Sequence, residues 1–259
     1  RRQRLYTRCF TGTRSAHGAR NRGRDVPSGF VVSLALFAAL LPAYLIGSIP
    51  SSVILGRIFK GIDVREHGSG NAGASNAFRV LGRPLGVAVL LMDVGKGAAA
   101  VLLLSLLVSA QDIAGSDLRL LLGAGAILGH VYSLFLGFKG GKGVGTAAGV
   151  LLVIDPLPLT IAVTIFVLTL LATGITSLAS LVAAVSFPAV TVLLGASGVI
   201  ETSVSIFIFS VLAVLFLLFT HRENVKRLLS GRENRFEGAR LLGRLIDRLS
   251  GRDPDSREK

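Results

Sequence analysis

Tryptophan is absent from the 259 residues, and cysteine and methionine occur once each. The lone Cys9 excludes an intrachain disulfide. Acids are scarce, 15 against 28 Lys and Arg, which leaves a net charge of +13. Charged residues of either sign make up only 17% of the chain, below the roughly 25% of soluble domains. Residues 26–56 carry no charge at all. A soluble core does not need uncharged runs of that length, whereas a bilayer span does. The apolar fraction of 51% and mean hydropathy of +0.66 agree with this reading.

The apolar blocks predict an all-α polytopic membrane protein with about seven transmembrane helices. The spans fall near 30–58, 85–108, 118–136, 146–154, 157–172, 177–194 and 203–219. Pro42 and Pro50 predict a kink or break near the end of the first. The fourth is short and could complete a span only by taking in Gly143 to Gly145. Seven crossings place Lys60, Arg65, Arg79, Arg83, Lys139, Lys142, Arg222, Lys226 and Arg227 on one side. The connections on the other side carry only acids, so the basic side is expected to be cytoplasmic. Eight arginines lie within residues 1–24, and this topology sets them outside, against the same rule. Residues 1–29 therefore read as a basic, disordered extension, either a transit-type leader or upstream sequence translated in error. A nucleic-acid arm is the other basic-tail reading, and nothing else in the chain supports nucleic acid as a partner. The membrane domain is expected over 30–235 and an amphipathic tail over 236–259.

Three polar clusters interrupt the apolar pattern, all on the basic side. The first runs from His67 to Arg79 and contains Gly68, Ser69, Gly70, Asn71, Gly73, Ser75 and Asn76. Glycines turn backbone N–H groups toward an anion, short side chains add donors, and Arg79 supplies a fork suited to phosphate. The plain alternative is a connector rich in turn formers. Gly68-x-Gly70-x-x-Gly73 is not a dinucleotide fingerprint, because Asp63-Val64-Arg65-Glu66-His67 is no apolar strand. The second cluster is Phe138-Lys139-Gly140-Gly141-Lys142-Gly143-Val144-Gly145-Thr146, at a helix start. Its spacing is not that of a Walker A loop, yet N–H groups and the helix dipole favour phosphate there over a plain basic turn. In the third, His221 and Asn224 lie three apart and share a helix face. His221 by itself reads as an interfacial anchor. Asp93 and Lys96, also three apart within the second span, read as a structural ion pair. Polar groups gathered on one face suit an enzyme that takes one substrate from water and another from lipid. A transporter of a phosphorylated metabolite is the alternative, and it calls for polar groups at mid-membrane open to both sides.

Three long stretches resemble the motifs of one family, in the same order. They are Gly68-Ser69-Gly70-Asn71-x-Gly73-x-Ser75-Asn76-x-x-Arg79, then Gly129-His130-x-Tyr132-x-x-Phe135-x-x-Phe138-Lys139-Gly140-Gly141-Lys142-Gly143-Val144, then His221-Arg222-x-Asn224-x-x-Arg227-Leu228-x-x-Gly231-x-Glu233. Tyr44-Leu45-x-Gly47-Ser48 and Asp93-x-x-Lys96-Gly97 match as well. The chain thus resembles the bacterial acyl-phosphate:glycerol-3-phosphate acyltransferase family (PlsY) from about residue 41 to 233. The resemblance implies a seven-helix enzyme of the cell membrane, its active site facing the cytoplasm, in phospholipid synthesis. Such an enzyme moves a fatty acyl group from acyl-phosphate to the 1-hydroxyl of glycerol 3-phosphate and yields lysophosphatidic acid.

By motif position the resemblance implies substrate contacts from Ser69, Arg79, Lys142, Ser180, His221 and Asn224. Gly68, Gly70, Asn71 and Asn76 are implied as binding residues of the first motif, and Gly140, Gly141 and Gly143 as the glycerol-phosphate pocket. No histidine begins the His-x-x-x-x-Asp pattern of acyltransferases that use thioesters. Acyl-phosphate is already activated, so neither a cofactor nor a metal is expected, and positioning of two anions should dominate. The base is left open between His221 and a substrate phosphate. Where many members have Arg-Tyr-Val before Ser177, this chain has Gly174-Ile175-Thr176. Milder departures are Ser75, Ser133 and Gly145 for Thr, Pro and Ala.

The C-terminal tail has helical periodicity of its own. Leu241, Leu242, Leu245, Ile246 and Leu249 mark one apolar face, and Arg240, Arg244 and Arg248 form a row along its flank. This predicts an interfacial helix on anionic lipid, or else a helix docked through its apolar face. Acyl-chain preference and oligomeric state are not encoded in any of these patterns.

Overall fold

The computed structural model describes residues 28–107 and 115–249, and all regular structure among them is helical. The expected extension thus lies almost wholly outside the described residues, as does most of the acidic connection before the third span. The helices are α1 (Ser28–Ser48), α2 (Ser51–Lys60), α3 (Ala74–Val80), α4 (Arg83–Leu107) and α5 (Gly115–Val131). After them come α6 (Val144–Ile154), α7 (Pro156–Thr173), α8 (Thr176–Ala196), α9 (Val204–Thr220), α10 (Arg222–Leu229) and α11 (Leu241–Leu249).

The predicted proline break falls between α1 and α2, at Ile49–Pro50, while Pro42 lies inside α1 without ending it. A break frees backbone carbonyls, and in an apolar setting each needs a donor. Lys96 Nζ donates to the Ile49 carbonyl at 2.7 Å, and Ser133 Oγ to the Ser48 carbonyl at 2.5 Å. Lys96 also meets Asp93 at 2.9 Å, and Ser51 Oγ donates to the same carboxylate oxygen at 2.9 Å. The predicted ion pair is thus the splint of a broken helix.

Five segments are long and apolar enough to cross a bilayer: Ala38–Lys60, Arg83–Leu106, Asp117–Leu136, Pro156–Thr173 and Thr176–Ala196. The α9–α10 pair passes the same test but bends by 66°, which gives a sixth. The remaining expected span, the fourth in the chain, is α6, which is shorter than a full crossing. α6 has 11 residues, about 16 Å at 1.5 Å per residue, roughly half of a ~30 Å hydrocarbon layer. Its shortness follows from the second polar cluster, which stays a loop up to Gly143. α6 lies against α4, where a Cβ on Gly97 would collide with the Thr146 carbonyl and one on Gly149 with the Val94 carbonyl. Such close backbone approach through small residues is how helices associate in lipid. α1 and α5 meet in the same way. The core between them includes Ala43, Val101, Leu122, Ala126 and Val150. Large apolar residues such as Leu106, Leu193 and Leu212 remain exposed around the bundle, as lipid-facing positions should.

α11 forms as the tail periodicity predicts, with one correction. Arg240 is only 7% exposed, so it does not stand on a headgroup-facing flank. The helix rests on the end of α7 through Gly243, where a Cβ would collide with the Ala172 carbonyl. Leu241, Leu242, Leu245 and Leu249 point outward, so the docked face is not the leucine face.

Candidate active site

The first cluster is a loop pinned from within. Asp63 caps the helical turn Val64–Glu66 through the Arg65 N–H, and its carboxylate pairs with Arg65 at 2.7 Å and Arg57 at 3.1 Å. The Arg65 hydrogen bond above all holds this carboxyl well below the usual range, against its burial. Asn76 is 1% exposed. Its Oδ1 accepts from the Ser69 N–H at 2.8 Å, and its Nδ2 donates to the carbonyls of Val64 at 2.8 Å and His67 at 3.1 Å. Gly68 has φ +62°, and a Cβ there would collide with Asn76 Oδ1. Gly68 and Gly70 therefore shape the loop, and neither lines the cavity described below. Ser69, Asn71 and Asn76 do line it. Arg79, near the end of α3, lies with its guanidinium over the Phe236 ring, 4.5 Å from the centroid.

In the second cluster Gly140 and Gly141 take no part in the expected backbone pocket. The Gly140 N–H already donates to the Val131 carbonyl at 3.0 Å, and the Gly141 N–H to the His130 carbonyl at 3.1 Å. A Cβ on either glycine would collide with His130. These glycines seat the loop against the end of α5 instead of presenting donors to a ligand, and neither lines the cavity. Lys142 and Gly143 do.

The third cluster occupies the corner beyond α9. His221 is 3% exposed, and its Nδ1 lies 2.9 Å from the Leu217 carbonyl. A carbonyl only accepts, so Nδ1 carries the proton and Nε2 the lone pair. Asn224 Oδ1 accepts a short hydrogen bond from Lys142 Nζ, and its Nδ2 donates to Glu233 Oε1 at 2.6 Å. Glu233 also accepts from Ser177 Oγ at 2.9 Å and Arg227 Nε at 2.7 Å. Glu233 thus ties α8 and α10 to the lysine of the second cluster. Arg227 and Glu233 belong to the third motif, but the sequence assigns neither them nor Ser177 a place in the site. The available signal is the motif position of Arg227 and Glu233.

These residues surround one cavity of about 780 Å³. Ser69, Arg79, Lys142, His221, Asn224 and Ser180 all line it, together with Glu233 and Arg227. Asp93 and His130 reach its surface too, ten residues along α4 from Arg83 in the case of Asp93, while Lys96 does not. Val87 and Leu90 of α4 and Phe166 and Leu170 of α7 give it an apolar side. The charges within it are strained by desolvation. Burial, opposed by Glu233 and reinforced by Arg227 and Arg79, pushes Lys142 down to about 8. Burial and the nearby Lys142 charge push His221 down to about 4, so it is neutral near pH 7. Burial would raise Glu233, but its hydrogen bonds from Asn224, Arg227 and Ser177 outweigh that and lower it. The result is a fixed carboxylate beneath two cations that lack a full complement of water, which is a setting for anionic groups.

A family model described as glycerol-3-phosphate acyltransferase matches residues 37–231. The chain is 43% identical over 232 residues to a glycerol-3-phosphate acyltransferase of Chlorobium phaeobacteroides, covering 80% of this chain and 99% of that one. It is 41% identical to that of Chlorobaculum parvum, covering 78% and 97%. Among solved structures it resembles PlsY (YgiH), an integral membrane glycerol 3-phosphate acyltransferase, in its glycerol 3-phosphate form. That match has a TM-score of 0.68 and 34% identity, and covers 78% of this chain and 95% of the other. The lysophosphatidic acid form of PlsY matches with the same TM-score at 32% identity, covering 80% and 98%.

Proposed function

The chain belongs to the glycerol-3-phosphate acyltransferase family, and from that premise we propose that it transfers a fatty acyl group from acyl-phosphate to the 1-hydroxyl of glycerol 3-phosphate. The products are lysophosphatidic acid and inorganic phosphate. The observation that carries this reading is the convergence of Arg79 and Lys142, from separate polar clusters, on one cavity with an apolar side. Two phosphate-bearing substrates repel one another, and two cations offset that repulsion as the substrates are brought together. The apolar residues of α4 and α7 suit the acyl chain.

In the reaction the glycerol hydroxyl oxygen bonds to the acyl carbon, and the bond from that carbon to the phosphate oxygen breaks. His221 accepts a hydrogen bond from the hydroxyl at Nε2 and aims it. The proton leaves on the departing phosphate, whose charge grows as its bond to the acyl carbon breaks. Ser69, Asn71 and Ser180 supply hydrogen bonds at the cavity wall, and Asn224 holds Lys142 in place against Glu233. Asn76 acts through the loop it pins. Since the basic connections share the cavity's end of the bundle, we place the site at the cytoplasmic face of the cell membrane. The test is purified protein given palmitoyl-phosphate and glycerol 3-phosphate. Lysophosphatidic acid is expected from this pair and not from palmitoyl-CoA with glycerol 3-phosphate. Equal turnover of the thioester would overturn the choice of donor.

A further inference from the structure

The cavity has a wall beyond the reach of the family match, which ends at residue 231. Asn234, Arg235, Phe236, Gly238 and Ala239 all line it. This stretch is fastened at both ends. Upstream, Glu233 is held by Ser177, Asn224 and Arg227. Downstream, α11 rests on the end of α7 through Gly243. In between, the Phe236 N–H donates to the Gly174 carbonyl at 2.7 Å. Gly174 ends α7 at φ +71°, and a Cβ there would come within 3.1 Å of the Phe236 carbonyl oxygen. Any other residue at 174 would be strained and would press on the strand of chain that carries Phe236.

Phe236 is the inner contact of this segment. The guanidinium carbon of Arg79 lies over the Phe236 ring, 4.5 Å from the centroid. A guanidinium held by cation–π attraction to a ring needs no carboxylate to hold it and leaves N–H donors for an anion. Among the described residues Arg79 has no carboxylate within ion-pair distance, so the Phe236 ring is the side-chain partner shown for it. The outer contact is the leucine face of α11, with Leu241 59% and Leu249 80% exposed. α11 sits at the end of a membrane span, α7, so the layer that this face meets is the lipid interface.

We propose that residues 232–249 form a lipid-seated strap in which Phe236 is the positioning residue for Arg79. The proposal rests on the acyltransferase reading, with Arg79 as a phosphate ligand. It is tested in vesicles of phosphatidylglycerol and phosphatidylcholine, with KM for each substrate and kcat measured separately. Phe236→Ala should raise KM for at least one phosphate substrate about tenfold, the scale of a desolvated cation–π contact, with a smaller change in kcat. Phe236→Tyr should restore wild-type KM, while Phe236→Leu, which keeps bulk without a ring, should stay close to Phe236→Ala. Leu241→Ser combined with Leu245→Ser should raise the same KM. An unchanged KM in Phe236→Ala, a Tyr variant no better than Ala, or a wild-type KM in the leucine double variant would each overturn the strap. Wild-type protein run alongside separates the two levels. If it fails to turn over, the acyltransferase reading falls; if it turns over and Phe236→Ala matches it, only the strap falls.

Discussion

The two glycine-rich loops look alike in composition and use glycine in opposite ways. In the first, Gly68 and Gly70 take positive φ values of +62° and +70° so that a short chain can wrap around Asn76. In the second, Gly140 and Gly141 matter for what they lack, since any Cβ would enter His130. The first loop is folded by a buried side chain and ends in a cation, Arg79. The second is folded by backbone hydrogen bonds to α5 and delivers a cation, Lys142, to the same cavity. Glycine therefore marks where backbone must go, and the ligand chemistry rests with the residues beside it.

The sharpest test of this contrast removes each loop's cation. Arg79→Ala and Lys142→Ala should each lower turnover about 30- to 1000-fold, the cost of about 2–4 kcal/mol for a desolvated phosphate contact. The melting temperature should move little, and near-normal activity in both variants would remove the paired-cation model. Next come the residues that hold the loops. Gly140→Ala should destabilise the protein by about 1–3 kcal/mol through overpacking against His130, read by thermal unfolding in detergent. A variant that keeps full stability and only raises KM would restore the backbone-pocket view of the second loop. Gly70→Ala should cost less, about 1 kcal/mol, because it meets only backbone strain: the Arg65 carbonyl lies 3.4 Å from the added Cβ.

The smallest effect separates the cations by pH. Arg79 stays charged throughout, whereas Lys142, held down to about 8, loses its charge as pH rises through that value. Unliganded binding competence should have fallen about twofold at pH 8, and Lys142→Arg should abolish that fall. Stability should run the other way. Between about 8 and the ordinary lysine value the unfolded chain holds the extra proton, so folding stability rises with pH there. A KM flat from pH 7 to 9 in wild-type protein would show that Lys142 does not titrate in this range.

The sequence carried the helical membrane class because long uncharged runs suit little besides a bilayer, and it carried the meeting of Arg79, Lys142 and His221 because all three fell on one side. It placed the Asp93–Lys96 pair and the Pro50 break separately, but not that Lys96 mends that break, since the partner is a backbone carbonyl. The role of Gly140 and Gly141 was illegible for a similar reason. A sequence lists backbone donors without showing which are already engaged. The length of α6 depended on where a loop stopped, which a run of small residues leaves open. Glu233 was readable as a motif position without a partner, and its three hydrogen bonds come from residues 6, 9 and 56 positions away.

The half-length of α6 has a consequence for where the chemistry sits. Gly145, at its start, lies against Asp93, which is about 15 Å along α4 from Arg83 at 1.5 Å per residue. The polar floor of the cavity is therefore sunk near the middle of that span. Lifting a chain of about sixteen methylenes into water costs about 13 kcal/mol at ~0.8 kcal/mol each. With the charged end of an amphiphile drawn down to meet the protein, its tail never has to be extracted from the leaflet.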